Sequence, residues 1–266
     1  YRAAADQDYP RALCNLAWCY EYGKGVERDY AQAARLYLRA AEQEYPRGQL
    51  CMGLCCERGR GVPLDLAAAA EWYRKAAEQG EEDAQCCLGY LYETGQGVEQ
   101  SWEQAARWYR QGAEHGSGRA MGNLAWCYDN GKGVEQDVEE STRWYKRGAE
   151  AGDARSMYSY AFCCEYGDGM EPDLEQALHW YRRAAEELTE TADAIRRQLD
   201  FPTGEPVPVS YSGGLFRAGE TIMVPFRACM ERTMQLRDDV AVGLQQNDVQ
   251  QYLCSQLAAA GDLSLF

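Results

Sequence analysis

Residues 10–45 read PRALCNLAWCYEYGKGVERDYAQAARLYLRAAEQEY, and residues 46–81 read PRGQLCMGLCCERGRGVPLDLAAAAEWYRKAAEQGE in the same register. In the first stretch Ala12, Leu13, Leu16, Ala17, Cys19 and Tyr20 recur at helical spacing, which predicts an amphipathic first helix over roughly 10–22. Gly23 stops it, because glycine takes the left-handed position after a helix without a Cβ clash. Gly25 lets the chain turn back, and Val26 tucks under the hairpin. Asp29 then caps a second helix carrying Ala33, Ala34, Leu36, Tyr37, Ala40 and Ala41. Gln32, three residues on, completes the pattern of a capping box.

The pattern returns every 36 residues with no insertion or deletion. Gly23, Gly25 and Val26 recur as Gly59, Gly61, Val62, then Gly95, Gly97, Val98, then Gly131, Gly133, Val134, then Gly167, Gly169, Met170. Asp29 recurs as Asp65, Ser101, Asp137 and Asp173, and Gln32 as Ala68, Gln104, Glu140 and Gln176. Leu36-Tyr37 becomes Trp72-Tyr73, Trp108-Tyr109, Trp144-Tyr145 and Trp180-Tyr181. A fixed period of this length predicts a solenoid, in which each unit buries its apolar face only by stacking on its neighbours. Alanine columns let helices approach closely, and the aromatic pairs fill the space between hairpins. The Gly-x-Gly turns are structural rather than phosphate loops, since all five copies share one spacing and none follows a strand.

The pattern resembles the Sel-one-like repeat, a relative of the tetratricopeptide repeat with a longer, glycine-containing turn. The resemblance runs from Tyr1 to about Glu187. It implies a mainly α fold: a right-handed α-α superhelical solenoid of antiparallel helix pairs, scaffolding protein–protein contacts. Tyr1 to Tyr9 matches Tyr37 to Tyr45 without a gap, so residues 1–187 divide into a partial unit, 1–9, and five units of 36 residues. Starting inside a unit, with no initiating Met, the sequence reads as a piece of a longer protein.

The formal charge is −15, from 42 acidic and 27 basic residues. That balance argues against nucleic acid, whose affinity rests on Lys and Arg neutralising phosphates, and against anionic membrane surfaces. No apolar run reaches the roughly 18 residues of a membrane span. There are 12 cysteines and two histidines. Cys19, Cys55, Cys127 and Cys163 form one column, and solenoid units stack about 10 Å apart, too far for a disulfide. Zinc spacing is absent. The thiols read as small apolar side chains in tight packing, and a reducing cytoplasm is the expected location. His115 and His179 have no nucleophile at a motif spacing, and no acid/base pair stands out from the repeat.

In tetratricopeptide-type solenoids the first helices line the concave side, which makes their outward positions the expected partner-binding residues. One column reads Trp18, Leu54, Tyr90, Trp126, Phe162. A second reads Glu21, Glu57, Glu93, Asp129, Glu165, and a third reads Arg11, Arg47, Asp83, Arg119, Arg155. An apolar strip beside an acidic row predicts a protein or peptide partner with apolar anchors and basic flanks. The bland alternative is that the aromatics pack and that the charges bridge neighbouring units.

The last third, 188–266, reads differently. The fifth second helix runs on to about Leu199, with Leu188, Ala192, Ile195 and Leu199 at helical spacing. Pro202, Gly204, Pro206 and Pro208 then break it. Val207, Val209 and Tyr211 alternate as a short strand, and helices follow over roughly 220–236 and 246–260, making a small α/β segment. The stretch Pro206 to Gly219 resembles the adenosine motif of BadF/BadG-type ATPases and N-acetylglucosamine kinases. That resemblance implies an alternative function: a fragment of an ATP-dependent sugar kinase or ATPase carrying the repeats as an insertion. Ser212, Gly213, Gly214 and Phe216 would then form part of the nucleotide site. The family's phosphate-binding motif is absent, so ATP and magnesium would belong to the parent protein and no cofactor or activity is expected of this chain. An ordinary strand-to-helix turn in a capping module also accounts for Gly213-Gly214.

Overall fold

The computed structural model describes residues 1–198, and among these every regular element is a helix. The chain divides into two compact units, Tyr1–Ala151 and the part from Gly152 onward.

The first unit opens with a short helix, α1 (Arg2–Ala5), followed by four helical hairpins. These are α2 (Pro10–Tyr22) with α3 (Tyr30–Glu42), α4 (Pro46–Arg58) with α5 (Leu66–Glu78), α6 (Glu82–Thr94) with α7 (Trp102–Glu114), and α8 (Gly118–Asn130) with α9 (Val138–Glu150). The second unit holds one hairpin, α10 (Ala154–Tyr166) with α11 (Leu174–Gln198). The extension of α11 to Gln198 agrees with the helix continuing past the repeat. The expected strand at Val207–Tyr211 and the helices after it lie outside the described residues.

Local sequence sets each boundary. Pro10 and Pro46 occupy the first turn of α2 and α4, where a missing N–H costs nothing. Gly23, Gly59, Gly95 and Gly131 end the first helices in the left-handed conformation, with φ between 61° and 69°. Asp29, Asp65, Ser101 and Asp137 cap the second helices, each side chain accepting from the backbone N–H three residues on. The partner residues of the expected capping boxes have other engagements: Gln32 accepts from Arg35 and Glu140 from Trp144.

Stacking in the first unit depends on small residues. α3 packs on α4, α5 on α6 and α7 on α8. Gly48 lies so close to Ala40 that an added Cβ would come within 2.8 Å of the alanine methyl, and Gly112 is as close to Ala120, at 2.9 Å. The second glycine of three turns, Gly61, Gly97 and Gly133, has a role beyond reversing the chain. A Cβ on Gly61 would fall 2.0 Å from the carbonyl oxygen of Tyr30; on Gly97, 2.2 Å from that of Leu66; on Gly133, 2.0 Å from that of Trp102. These three turns therefore seat main chain against main chain at the start of the preceding unit's second helix. First helices of successive hairpins, α2 with α4 and α6 with α8, approach one another more closely than second helices do.

The core is alanine, leucine, cysteine and the repeated tyrosine: Leu13, Leu88, Leu124, Tyr73 and Tyr109 are all fully enclosed. The ten cysteines of the described residues are free thiols, and burial pushes Cys14, Cys55, Cys87 and Cys127 up to about 12. They serve as small apolar packing groups, as the sequence pattern implies.

Candidate partner-binding face

The helical period decides which side chains of a first helix face away from the core. In α2 the buried residues are Ala12, Leu13, Cys14, Leu16 and Ala17. The opposite stripe is Arg11, Asn15, Trp18 and Tyr22, at spacings of four, three and four. Its equivalents are Arg47, Cys51, Leu54 and Arg58 on α4; Asp83, Cys87, Tyr90 and Thr94 on α6; and Arg119, Asn123, Trp126 and Asn130 on α8. None of these sixteen positions is buried.

The aromatic column lies on this stripe. Trp18 is 45% exposed, Tyr90 39% and Trp126 37%. Leu54 is half-buried and packs against the core edge. In the second unit Phe162 is 37% exposed. These side chains are open without being loose. Trp18 stacks on Tyr22 at 5.3 Å between ring centres, Phe162 on Tyr166 at 4.5 Å, and Trp126 on Trp102 of the preceding hairpin at 5.6 Å.

The acidic column is placed differently. Glu21, Glu57 and Glu93 are half-buried at the side of the first helix and face the second helix of their own hairpin. Each accepts a hydrogen bond from a buried tyrosine sixteen residues on: Tyr37 to Glu21 at 3.0 Å, Tyr73 to Glu57 at 2.6 Å, Tyr109 to Glu93 at 2.5 Å. Tyr181 donates to Glu165 at 2.8 Å in the second unit. Burial, reinforced by that carboxylate, holds the Tyr37, Tyr73 and Tyr109 hydroxyls well above the usual tyrosine range. Glu21 additionally accepts from Arg60, in the next turn, at 3.1 Å. Asp129, one methylene shorter, is exposed. Glu21, Glu57, Glu93 and Glu165 thus hold hairpins together, and along these positions the acidic row is not the open strip that motivated a partner with basic flanks.

The third column carries ion pairing along the stack: Arg47 reaches Asp83 at 3.5 Å and Glu81 at 3.2 Å. Such half-exposed pairs contribute little stability. The sequence reading missed Asn15, Tyr22, Asn123 and Asn130, although the spacing that finds Arg11 and Trp18 also selects them. Of the two histidines, His115 donates from Nδ1 to the oxygen of buried Gln85 at 2.8 Å, while the Gln85 amide donates to Ala77 at 2.9 Å. His179 meets the edge of Trp180. Both contacts are structural. Among the described residues no cluster of His, Cys, Asp or Glu is arranged to hold a metal ion, and no helix is long and apolar enough to cross a membrane. The nucleotide-site residues Ser212, Gly213, Gly214 and Phe216 lie outside the described residues.

Residues 10–45, 46–81, 82–117, 118–153 and 154–187 match the family model of the Sel1 repeat, which stops short of the adenosine-like stretch. Among solved structures, a Sel1 repeat protein from Oxalobacter formigenes is similar at 34% identity with a TM-score of 0.64, over 71% of this chain and 79% of that one. The protective antigen c5321 of uropathogenic Escherichia coli, which displays an SLR fold, is similar at 28% identity and a TM-score of 0.65, over 98% of this chain and 56% of that one. The immunity protein Pa5087 of Pseudomonas aeruginosa shares the fold at 22% identity and a TM-score of 0.51, over 70% of this chain and 72% of that one. No curated protein matches the chain.

Proposed function

The chain belongs to the Sel1 repeat family, whose repeats scaffold protein–protein contacts, and on that premise we propose that the first-helix face of residues 10–130 binds an extended segment of a partner protein. The observation that carries this reading is the row of exposed aromatics, Trp18, Tyr90 and Trp126, of which Trp18 and Trp126 are held by stacking on Tyr22 and Trp102. Large aromatics held in place by neighbours bury much apolar area with little further loss of side-chain freedom, which is what interface anchors require. The free thiols support a reducing compartment such as the cytoplasm as its setting.

The test is capture of partners by the full chain, compared with the double variant Trp18→Ala/Trp126→Ala. The expected result is loss of specific capture by the variant at unchanged melting temperature. Equal capture by both proteins would remove this face from consideration.

A further inference from the structure

Asn130 is the one asparagine of the sequence that glycine follows; Asn15 and Asn123 precede leucine, and Asn247 precedes aspartate. Glycine has no side chain to shield its own backbone nitrogen, so an Asn-Gly pair is where that nitrogen most readily attacks the preceding side-chain amide. The pair lies at the exposed end of α8, with Asn130 as the last helical residue and Gly131 in the left-handed position after it, at φ 61°. Two hydrogen bonds hold the reacting groups apart. The Asn130 amide donates from Nδ2 back to the Trp126 carbonyl at 2.9 Å, and the Gly131 N–H donates to the Cys127 carbonyl. Both bonds belong to the last turn of one helix, where opening costs least.

The residues around the pair form the joint between the third and fourth hairpins. Trp126 stacks on Trp102 at 5.6 Å, Lys132 lies over the Trp102 ring at 5.5 Å, and Gly133 is seated against the Trp102 carbonyl. The end of α8 and the turn after it thus hold Trp102 at three points.

We infer that Asn130-Gly131 is a modification site: it deamidates spontaneously when the last turn of α8 opens, and the product loosens the joint on Trp102. The Gly131 nitrogen attacks Asn130 Cγ. A C–N bond forms, the Cγ–Nδ2 bond breaks, and Nδ2 takes the Gly131 amide proton and leaves as ammonia, so that a succinimide remains. Water then opens the ring at one of its two carbonyls. Opening at Cγ gives aspartate; opening at the main-chain carbonyl gives isoaspartate, in which the chain runs through the side-chain carbons. Neither product keeps the donor that reaches the Trp126 carbonyl. Both place a carboxylate next to Asp129 at the helix C-terminus, where the helix dipole disfavours an anion. Isoaspartate also lengthens the main chain by a methylene just ahead of Gly133, whose fit against Trp102 leaves no room for even a Cβ. Thr94, at the equivalent position of α6, makes the same bond without the hazard: its hydroxyl donates to the Tyr90 carbonyl at 2.9 Å, and it has no amide to lose.

The experiment keeps the full chain and its Asn130→Thr variant at mildly alkaline pH, folded and in urea, and samples them over days. Trypsin, cutting after Arg119 and Lys132, releases residues 120–132 for sequencing by mass spectrometry, and isoaspartate is scored by enzymatic methylation. Melting temperature is read on the folded samples after return to neutral pH. Asn130 should convert in the folded chain, more slowly than in urea by about tenfold or more, while Asn123 in the same peptide stays intact. The wild-type melting temperature should fall by a few degrees in step with conversion, and that of Asn130→Thr should hold. No conversion in the folded chain, whether or not urea permits it, overturns the site. Equal rates in the folded and unfolded chain overturn the dependence on opening. Full conversion at an unchanged melting temperature, or an equal fall in the threonine variant, overturns the loosening of the joint.

Discussion

The Tyr73 hydroxyl donates to the Glu57 carboxylate at 2.6 Å, joining the second helix of a hairpin to its first, while the tyrosine ring lies directly over Gly53. Tyr109, Glu93 and Gly89 repeat the arrangement one hairpin later. Polar bond and ring packing reinforce each other, because the ring that fills the space over a small residue also aims its hydroxyl at the acid; Ala17 and Ala161 take the glycine's place where Tyr37 and Tyr181 make the same bond.

Tyr73→Phe keeps the ring and removes the donor, leaving a half-buried carboxylate short of one partner. The expected loss is about 1–3 kcal/mol, read as a lower urea midpoint. Glu57→Gln, which keeps an acceptor for the hydroxyl, should lose less. An unchanged midpoint for the phenylalanine variant would show the bond to be incidental.

Alkali should destabilise the fold in a defined order. Burial above all, with the neighbouring thiols and carboxylates adding to it, holds the Tyr37, Tyr73 and Tyr109 protons on in the folded state, whereas tyrosines of an unfolded chain ionise near pH ~10. A folded pKa above the unfolded one gives stability that is complete below the unfolded value and lost as pH rises through the folded value. Cys14, Cys55, Cys87 and Cys127, pushed up to about 12 by burial, act with the same sign from about pH 8.5, the value for an exposed thiol. The melting temperature should begin to fall from about pH 9 and fall more steeply above about pH 10. A melting temperature that holds constant from about pH 8 to 11 would contradict this account.

Gly133 and Gly25 share a conformation, φ 70° and 72°, but not surroundings. A Cβ on Gly133 would meet the Trp102 carbonyl oxygen at 2.0 Å, and one on Gly25 would meet nothing within 4 Å. Alanine at either position incurs the left-handed penalty of about 1–2 kcal/mol. Gly133→Ala should cost a further 1–3 kcal/mol or so, from overpacking against main chain. Equal melting temperatures for the two variants would mean that the turn does not register one hairpin on the next.

Much of this architecture was legible because each unit states the same pattern five times. Hairpin boundaries, caps and the free thiols follow from local rules that a glycine or an aspartate carries alone, as Gly59 and Asp65 do. The exposed aromatics followed from the helical period. The acidic row did not, because Glu57 and Trp18-type positions lie only three residues apart and a sequence column does not show to which side a carboxylate leans. Its partner, Tyr73, sits sixteen residues away on another helix, a separation to which no periodicity points. The second role of Gly61, Gly97 and Gly133 was hidden for a similar reason, since their tightest neighbours belong to the preceding unit.

Those glycine seats fix the register of the stack through atoms that every residue possesses. The outward stripe adds only side-chain links to that fixing, such as Arg47 to Asp83 and Trp126 to Trp102. Selection can therefore rewrite what a position such as Trp18 presents to the outside, one codon at a time, without removing the main-chain joints beneath, and a duplicated unit arrives with its joint already formed.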